Sequence, residues 1–177
     1  MSRRIASSEP EVVLRAERDI RARLEGRELD FTAMSAIANI YRAGSAVRNH
    51  MERELLSGYE LSWAAFTVLW VLWIWGIQET GHVAAEAGIT KGTLTGVMKT
   101  LRARKLIRRT PHRDDRRRVS IGLTRAGERL IEDVFPRFNE QETLAVSALS
   151  PNEQRELARL LRHVLERIKS SDATGPS

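Results

Sequence analysis

The stretch Ala84-Ala-Glu-Ala-Gly-Ile-Thr-Lys-Gly-Thr-Leu-Thr-Gly-Val-Met-Lys-Thr-Leu101 decides the fold, because it has the pattern of two short helices separated by a glycine turn. It predicts a first helix over residues 81–87, ended by Gly88, and a second helix that Thr90 caps and that runs to about Arg104. Two short helices joined in this way form a helix-turn-helix. The apolar side chains of the second helix recur at i, i+3, i+4 and i+7 and face the core: Leu94, Val97, Met98 and Leu101.

The opposite face of the second helix is polar and small. Its candidate DNA contacts, separated by Gly92 and Gly96, are Lys91, Thr93, Thr95, Lys99 and Arg102. When a helix lies in a major groove, lysine can read guanine and a threonine methyl group can touch thymine. The spacing leaves open which of Lys91, Thr95 and Lys99 reads bases and which touches phosphate.

A hydrophobic period of two follows the second helix. Residues 106–110 and 119–123 alternate as strands do and flank the charged segment 112–118, which predicts a β-hairpin wing. Residues 99–118 hold ten basic side chains and two acidic ones, a net charge of +8 in a chain whose total is +6, so the other residues sum to −2. Such concentrated positive charge predicts nucleic-acid binding. The alternative is a solvated charged face without a partner.

Helical patterns cover most of the chain before this region. Ser8-Glu9-Pro10-Glu11 has the form of a capping box and opens a charged helix over residues 10–25. An amphipathic helix follows over residues 34–55. Ser62 then caps residues 63–75, which are apolar on every side and therefore predict a buried helix.

Two further helices follow the predicted wing. Thr124 caps a long one, in which Pro136 predicts a kink. Ser150-Pro-Asn-Glu153 opens the last one, which runs to about Lys169. Its apolar stripe, typical of a helix that pairs with a second subunit, is Leu157, Leu160, Leu161, Val164, Leu165 and Ile168.

These patterns predict a mostly α-helical fold with a small β-hairpin wing. The expected organisation is an N-terminal extension with a helix (1–29), a long amphipathic helix (30–60), a winged helix-turn-helix DNA-binding domain (61–123), C-terminal helices (124–169) and a disordered tail (170–177).

The composition and motifs exclude several classes of protein. With 177 residues, 42% of them hydrophobic, the chain can bury a core, and the absence of cysteine excludes disulfides and cysteine-based zinc sites. Its most apolar stretch, residues 63–77, is shorter than the ~20 residues that a bilayer span needs, and the N-terminus lacks a signal-peptide pattern, so we expect a cytoplasmic protein without membrane contact. The chain has no nucleophile elbow, phosphate-binding glycine loop or HExxH motif, so we expect neither an enzyme nor a cofactor.

Two histidine and glutamate pairs have the helical spacing of candidate metal ligands. His50 with Glu54 and His82 with Glu86 lie at i, i+4, but two ligands are too few for a metal site. Surface ion pairs are the expected role of both. His112, in the predicted wing, is expected to contact phosphate or solvent.

The segment Asp115-Arg-Arg-Arg-Val-Ser-Ile-Gly-Leu-Thr124, followed by Gly127, resembles the wing signature of the MarR family of dimeric winged-helix transcription regulators. Residues 84–101 are similar to that family's helix-turn-helix, and the order of elements over about residues 34–169 matches as well. Gly96 departs from the pattern, because many relatives carry arginine on this exposed face, so a base contact is expected to be missing or displaced.

The resemblance implies a ligand-responsive repressor that binds a pseudo-palindromic operator in double-stranded DNA as a homodimer. It also implies that residues 30–60 form a dimerisation helix and that residues 124–169 form the C-terminal dimerisation helices. By matching position, Arg117 would enter a flanking minor groove and Asp115 would orient it, with Arg113 and Arg116 beside them. A narrow A·T-rich minor groove independently favours an inserted guanidinium. The alternative function is a non-specific architectural DNA-binding protein, which would share the basic patch.

Four tryptophans lie within residues 63–75, and core packing is the first explanation for most of them. In the family that the chain resembles, the effector cleft lies beside the buried helix, which makes Trp70 and Trp73 candidates for stacking on a small aromatic effector. The helix over residues 10–25 resembles the extension of the PecS-like, urate-responsive branch, although it lacks the tryptophan expected there.

Overall fold

The computed structural model describes residues 14–111 and 119–173. Its elements, in chain order, are α1 (Arg15–Arg23), α2 (Phe31–Glu54), a short 3-10 helix (Leu56–Tyr59), α3 (Trp63–Trp75), β1 (Gln78–Glu79), α4 (Thr80–Glu86), α5 (Lys91–Ala103), β2 (Ile107–Pro111), β3 (Val119–Leu123), α6 (Arg125–Ala145) and α7 (Pro151–Ala173). The predicted fold class, mostly helical with a small antiparallel sheet, is confirmed. No helix among these residues is both long and apolar enough to span a bilayer.

The chain divides into two compact units, residues 1–46 and residues 47–177. In the first unit, Glu17 of α1 accepts a hydrogen bond from the Asn39 side chain of α2 at 2.7 Å, and the Arg21 guanidinium lies 5.5 Å from the centre of the Phe31 ring. The charged helix predicted over residues 10–25 is observed as Arg15–Arg23, and the part before residue 14 lies outside the described residues.

In the second unit, the core is built around α3, which packs against α4, α5, α6 and β3. Ser62 caps this helix as predicted, because its side chain accepts a hydrogen bond from the Ala65 backbone N–H at 3.2 Å. Gly76 ends it with a positive φ of 71°. The interior side chains of α3 are Ala65, Phe66, Val68, Leu69, Val71 and Leu72.

The sheet has three antiparallel strands in the order β1-β3-β2. The predicted wing strands are present, with Ile107 opposite Leu123 and Pro111 opposite Val119. Strand β1 was not predicted, because a two-residue strand shows no periodicity and forms only by pairing with β3. Gly122 lets Ile77 pass over β3, since a Cβ at position 122 would lie 2.8 Å from the Cγ1 atom of Ile77.

The helix-turn-helix predicted over residues 81–104 is confirmed as α4 and α5. Gly88 closes the turn with a φ of 63°. Lys105 ends α5 in the same left-handed region, with a φ of 59°. Its N–H donates to the Arg102 carbonyl, and the next N–H donates to the Leu101 carbonyl. This paired arrangement is the helix ending that usually takes glycine.

The last helix continues beyond its predicted end at Lys169 and reaches Ala173. The tail predicted to be disordered from residue 170 is therefore helical at its start, and residues 174–177 lie outside the described residues. The hydroxyl groups of Ser170 and Ser171 both donate to the Arg167 carbonyl. Bonds of this kind let serine remain within a helix. The polar composition of residues 170–177 therefore did not show where the helix ends.

Gly127 occupies the tightest glycine position in the described structure, at the start of α6. A Cβ at this position would lie 2.1 Å from the Leu106 carbonyl oxygen. The substitution Gly127→Ala should force the backbone to shift and lower the free energy of unfolding by about 1–3 kcal/mol. Chemical denaturation measures this loss. Gly96→Ala is the matched control, since its added methyl group has no neighbour within 4 Å among the described residues beyond the adjoining backbone of α5. Equal stability of both variants would contradict the close approach.

Candidate nucleic-acid interface

Helix α5 is anchored at its first turn by hydroxyl groups. The Thr90 side chain accepts a hydrogen bond from the Thr93 backbone N–H at 3.1 Å, and the two threonine hydroxyls lie 2.9 Å apart. The Thr95 hydroxyl donates to the Lys91 carbonyl at 3.0 Å. Because this donor is engaged within the helix, Thr95 presents its methyl group and an acceptor oxygen to a ligand.

The two faces of α5 differ as the sequence predicted. Leu94 and Leu101 are buried, and Val97 and Met98 are half-buried against the core. The five predicted contact residues are all exposed: Lys91, Thr93, Thr95, Lys99 and Arg102. The structure therefore places the α5 candidates at the surface of the helix-turn-helix.

A cleft of about 690 Å³ runs beside α5 towards the wing strands. Lys91, Lys99 and Arg102 line it from α5, and Arg109 lines it from β2. Leu94 and Met98 form part of its apolar lining. Four cations around one open cleft make a surface that attracts phosphate oxygens.

Arg109 is a candidate contact that sequence reasoning missed. In β2 it pairs with Ile121, two residues beyond the Ile107–Leu123 pair. The period of two places Arg109 on the same strand face as the buried Ile107, whereas Arg108 points to the other face. The sequence shows that Arg108 and Arg109 lie on opposite faces of the strand. Which of the two faces the α5 cleft follows only from the register of the sheet.

The predicted wing-tip contacts lie outside the described residues. Arg113, Asp115, Arg116 and Arg117 belong to residues 112–118, and their roles stay predictions. The structure does describe the strands on both sides of this segment, since Pro111 and Val119 are paired. The strand ends at Pro111 and Val119 are therefore adjacent, and Val119 lines the α5 cleft.

The tryptophans of α3 pack against α6. Trp70 stacks on Phe135 with ring centroids 4.5 Å apart, and Trp73 lies 5.5 Å from the same ring. Trp63 packs against Phe138, whereas Trp75 is 48% exposed. Core packing thus accounts for the contacts of three of the four indoles, and the effector role of Trp70 and Trp73 stays a prediction.

The histidine and glutamate pair on α2 has other partners. The His50 Nε2 atom lies 2.9 Å from the Gln141 side-chain oxygen, and Glu54 accepts from Arg53 at 2.6 Å. The hydrogen bond from Arg53 is the largest cause that holds the pKa of Glu54 below its usual value. Among residues 14–111 and 119–173, no group of three or more histidine or acidic side chains could hold a metal ion.

Comparisons with known proteins agree with this architecture. Residues 61–119 match the model of the MarR family. YwaE of Bacillus subtilis, an uncharacterised HTH-type transcriptional regulator, is 37% identical over 143 residues, which cover 81% of this chain and 84% of YwaE. The HTH-type transcriptional regulator MgrA of Staphylococcus aureus is 29% identical over 72% of this chain and 85% of its own.

Solved structures show the same fold. BpsR of Bordetella bronchiseptica, whose DNA binding is regulated by 6-hydroxynicotinic acid, superposes with a TM-score of 0.69 at 27% identity, over 73% of this chain and 98% of its own. Sco3205 of Streptomyces coelicolor, a MarR family regulator solved in complex with DNA, superposes with a TM-score of 0.74 at 22% identity, over 84% of this chain and 94% of its own. The sequence relatives YwaE and MgrA are transcriptional regulators, in agreement with the expectation that the chain is not an enzyme. The PecS-like resemblance stays a prediction. By its sequence match and its fold, the chain belongs to the MarR family.

Proposed function

We propose that the protein is a transcription regulator that binds a pseudo-palindromic operator in double-stranded DNA as a homodimer. The observation that carries this proposal is the cationic cleft beside α5, where three cations of the helix meet Arg109 of the wing strand. An exposed helix with basic side chains on one face and leucines on the other can enter a major groove while its core face holds it to the domain. Family membership supports the same function.

The proposed dimer rests on apolar side chains that a single chain leaves exposed. On α7 these are Leu157, Leu160, Leu165 and Ile168. On the first half of α2 they are Met34, Ile37, Ile40 and Tyr41. Exposed apolar stripes of this extent favour burial against a second copy. We therefore assign residues 30–60 and 124–169 to dimerisation and residues 61–123 to DNA binding.

We further propose that a small aromatic effector regulates the DNA affinity and that the protein represses transcription in the cytoplasm. The effector proposal draws on BpsR, which responds to 6-hydroxynicotinic acid, and on the indole cluster around Phe135. A ligand that prefers a conformation with misplaced α5 helices would lower the DNA affinity by linkage, commonly by ~1–3 kcal/mol.

The experiment that tests the function selects genomic DNA fragments on the purified protein and measures the affinity for the recovered site and for a scrambled duplex. A regulator should prefer its operator by at least ~10³ at physiological salt. An architectural protein would bind both duplexes alike. Equal affinities would therefore favour the alternative function, and no binding to either would contradict both.

Arg109 provides a test of the cleft with a control on the same strand. Arg109→Ala should weaken operator binding and reduce the slope of log affinity against log salt by about one, because one phosphate contact is lost. Arg108→Ala removes the same charge from the opposite strand face. The prediction is contradicted if both substitutions change the slope equally, as measured by fluorescence anisotropy.

A further inference from the structure

A chain of hydrogen bonds connects the end of α5 with α6 through the 3-10 helix. Arg104, at the C-cap of α5, donates from Nη1 to the Glu60 carbonyl at 2.6 Å and from Nη2 to the Tyr59 carbonyl at 2.9 Å. The Tyr59 hydroxyl donates to the Oδ2 atom of Asp133, on α6, at 2.9 Å. We call these four residues the Arg104–Asp133 bridge.

The backbone around Glu60 makes both carbonyl groups available to Arg104. Glu60 adopts a left-handed conformation with a φ of 53°. Its N–H donates to the Ser57 carbonyl, and the Leu61 N–H donates to the Leu56 carbonyl, which closes the 3-10 helix. The carbonyl groups of Tyr59 and Glu60 lie at the C-terminal end of the 3-10 helix. Arginine side chains near a helix C-terminus can bind the last carbonyl groups in this way.

Arg104 therefore has a different role from the other described cations of the basic window. Its guanidinium is mostly covered, with 28% of the side chain exposed, and the planar fork binds two carbonyls of consecutive residues. Lysine cannot reproduce that pairing, because its ammonium group is a point charge on a flexible stem. Arg104 acts here on the protein backbone rather than on a phosphate.

The Tyr59 side chain is fixed on α6 by more than one contact. Arg137 of α6 lies 5.9 Å from the centre of its ring. Burial, followed by the hydrogen bond to Asp133, raises the pKa of the phenol above its usual value. The hydroxyl therefore keeps the proton that it donates to Asp133 throughout the physiological pH range.

A second connection joins the same end of α5 to the start of α6. The Thr124 hydroxyl donates to the Lys105 carbonyl at 2.7 Å, and Gly127 packs directly on the Leu106 carbonyl. Asp133 lies further along α6 than these residues. The end of α5 is therefore connected to two positions along α6, in addition to the packing of α5 against α3, α4 and β2.

We propose that the Arg104–Asp133 bridge positions α5 for DNA by connecting the end of α5 to α6, so that loss of the bridge lowers the operator affinity. The inference rests on the proposed function, because α5 must be the helix that enters the groove. Tyr59 and Arg104 are positioning residues: they act on the angle of α5 and touch no DNA.

The test uses Tyr59→Phe, Arg104→Lys and the double variant of the full-length protein, with Arg159→Lys as the control. Arg159 also holds its partner with two nitrogen atoms, but that partner is Glu156 on the same exposed helix surface. Operator affinity is measured over a range of salt concentrations, well below the unfolding temperature, and sedimentation confirms that each variant is folded and dimeric. The selected operator must first bind the wild-type protein.

Tyr59→Phe and Arg104→Lys should each lower the affinity about threefold to tenfold, as expected for a lost hydrogen bond, with an unchanged salt slope. The double variant should bind the operator about as well as the single variant with the lower affinity, since both substitutions break the same bridge. Wild-type affinity in the folded single variants, or losses that add, would overturn the inference alone. A wild-type protein that binds no operator would contradict the proposed function and this inference together.

Discussion

A variant carrying Leu165→Glu and Ile168→Glu should be monomeric and lose operator affinity by about 10²- to 10⁴-fold. A monomer binds one half of the operator and loses the contact with the other half, which is effectively intramolecular in a dimer. Both side chains are more than half exposed in one chain, at 56% and 52%, so the substitutions should spare the fold of the monomer. Two carboxylates placed in an apolar interface would each be buried without a partner, which is costly enough to prevent association.

Sedimentation velocity measures the dissociation, and anisotropy with labelled operator measures the affinity. The matched control is Arg155→Gln with Arg162→Gln, which changes the net charge by the same amount on the polar face of α7. That control should remain dimeric. If the glutamate variant also remains dimeric and retains its affinity, the assignment of α7 to the dimer interface is wrong.

Removing two cations of α5, in Lys99→Ala with Arg102→Ala, should have the second largest effect. Both side chains are exposed and line the cleft beside α5. If each contributes a base or phosphate contact worth about 1–3 kcal/mol, the affinity should fall by about 30-fold or more. The salt slope should fall by up to about two.

The double variant should keep the dimer and the unfolding midpoint of the wild-type protein, since neither side chain packs in the core. Circular dichroism and sedimentation check both properties. The Arg155→Gln, Arg162→Gln protein again serves as the control, because it loses the same number of charges away from the cleft. An unchanged affinity and slope, or a monomeric double variant, would show that this face of α5 has been misassigned.

The helix boundaries that depend on local chemistry were predictable from the sequence. Ser62, Thr90 and Thr124 each precede a helix and each accepts a backbone N–H three residues later. Such caps are visible in the sequence because donor and acceptor are close along the chain. The amphipathic pattern of α5 likewise identified the exposed candidate contacts, since burial follows the helical period.

The features that depend on tertiary contacts were not predictable. Strand β1 forms only by pairing with β3, and the direction of Arg109 follows from the sheet register. Arg104 was counted in the sequence simply as part of the basic window, because its partners lie 44 and 45 residues away. Charge alone does not distinguish an arginine that binds backbone carbonyls from one that faces a phosphate.

The central claim is that two copies of the α5 surface, held by a dimer, bind one DNA duplex. Analytical ultracentrifugation of the wild-type protein with a selected operator duplex tests it most directly, because the same run reports the mass of the free protein and of the complex. We expect a free dimer and a complex of two chains on one duplex that dissociates as salt is raised. A monomer that sediments independently of the duplex at moderate salt would contradict it.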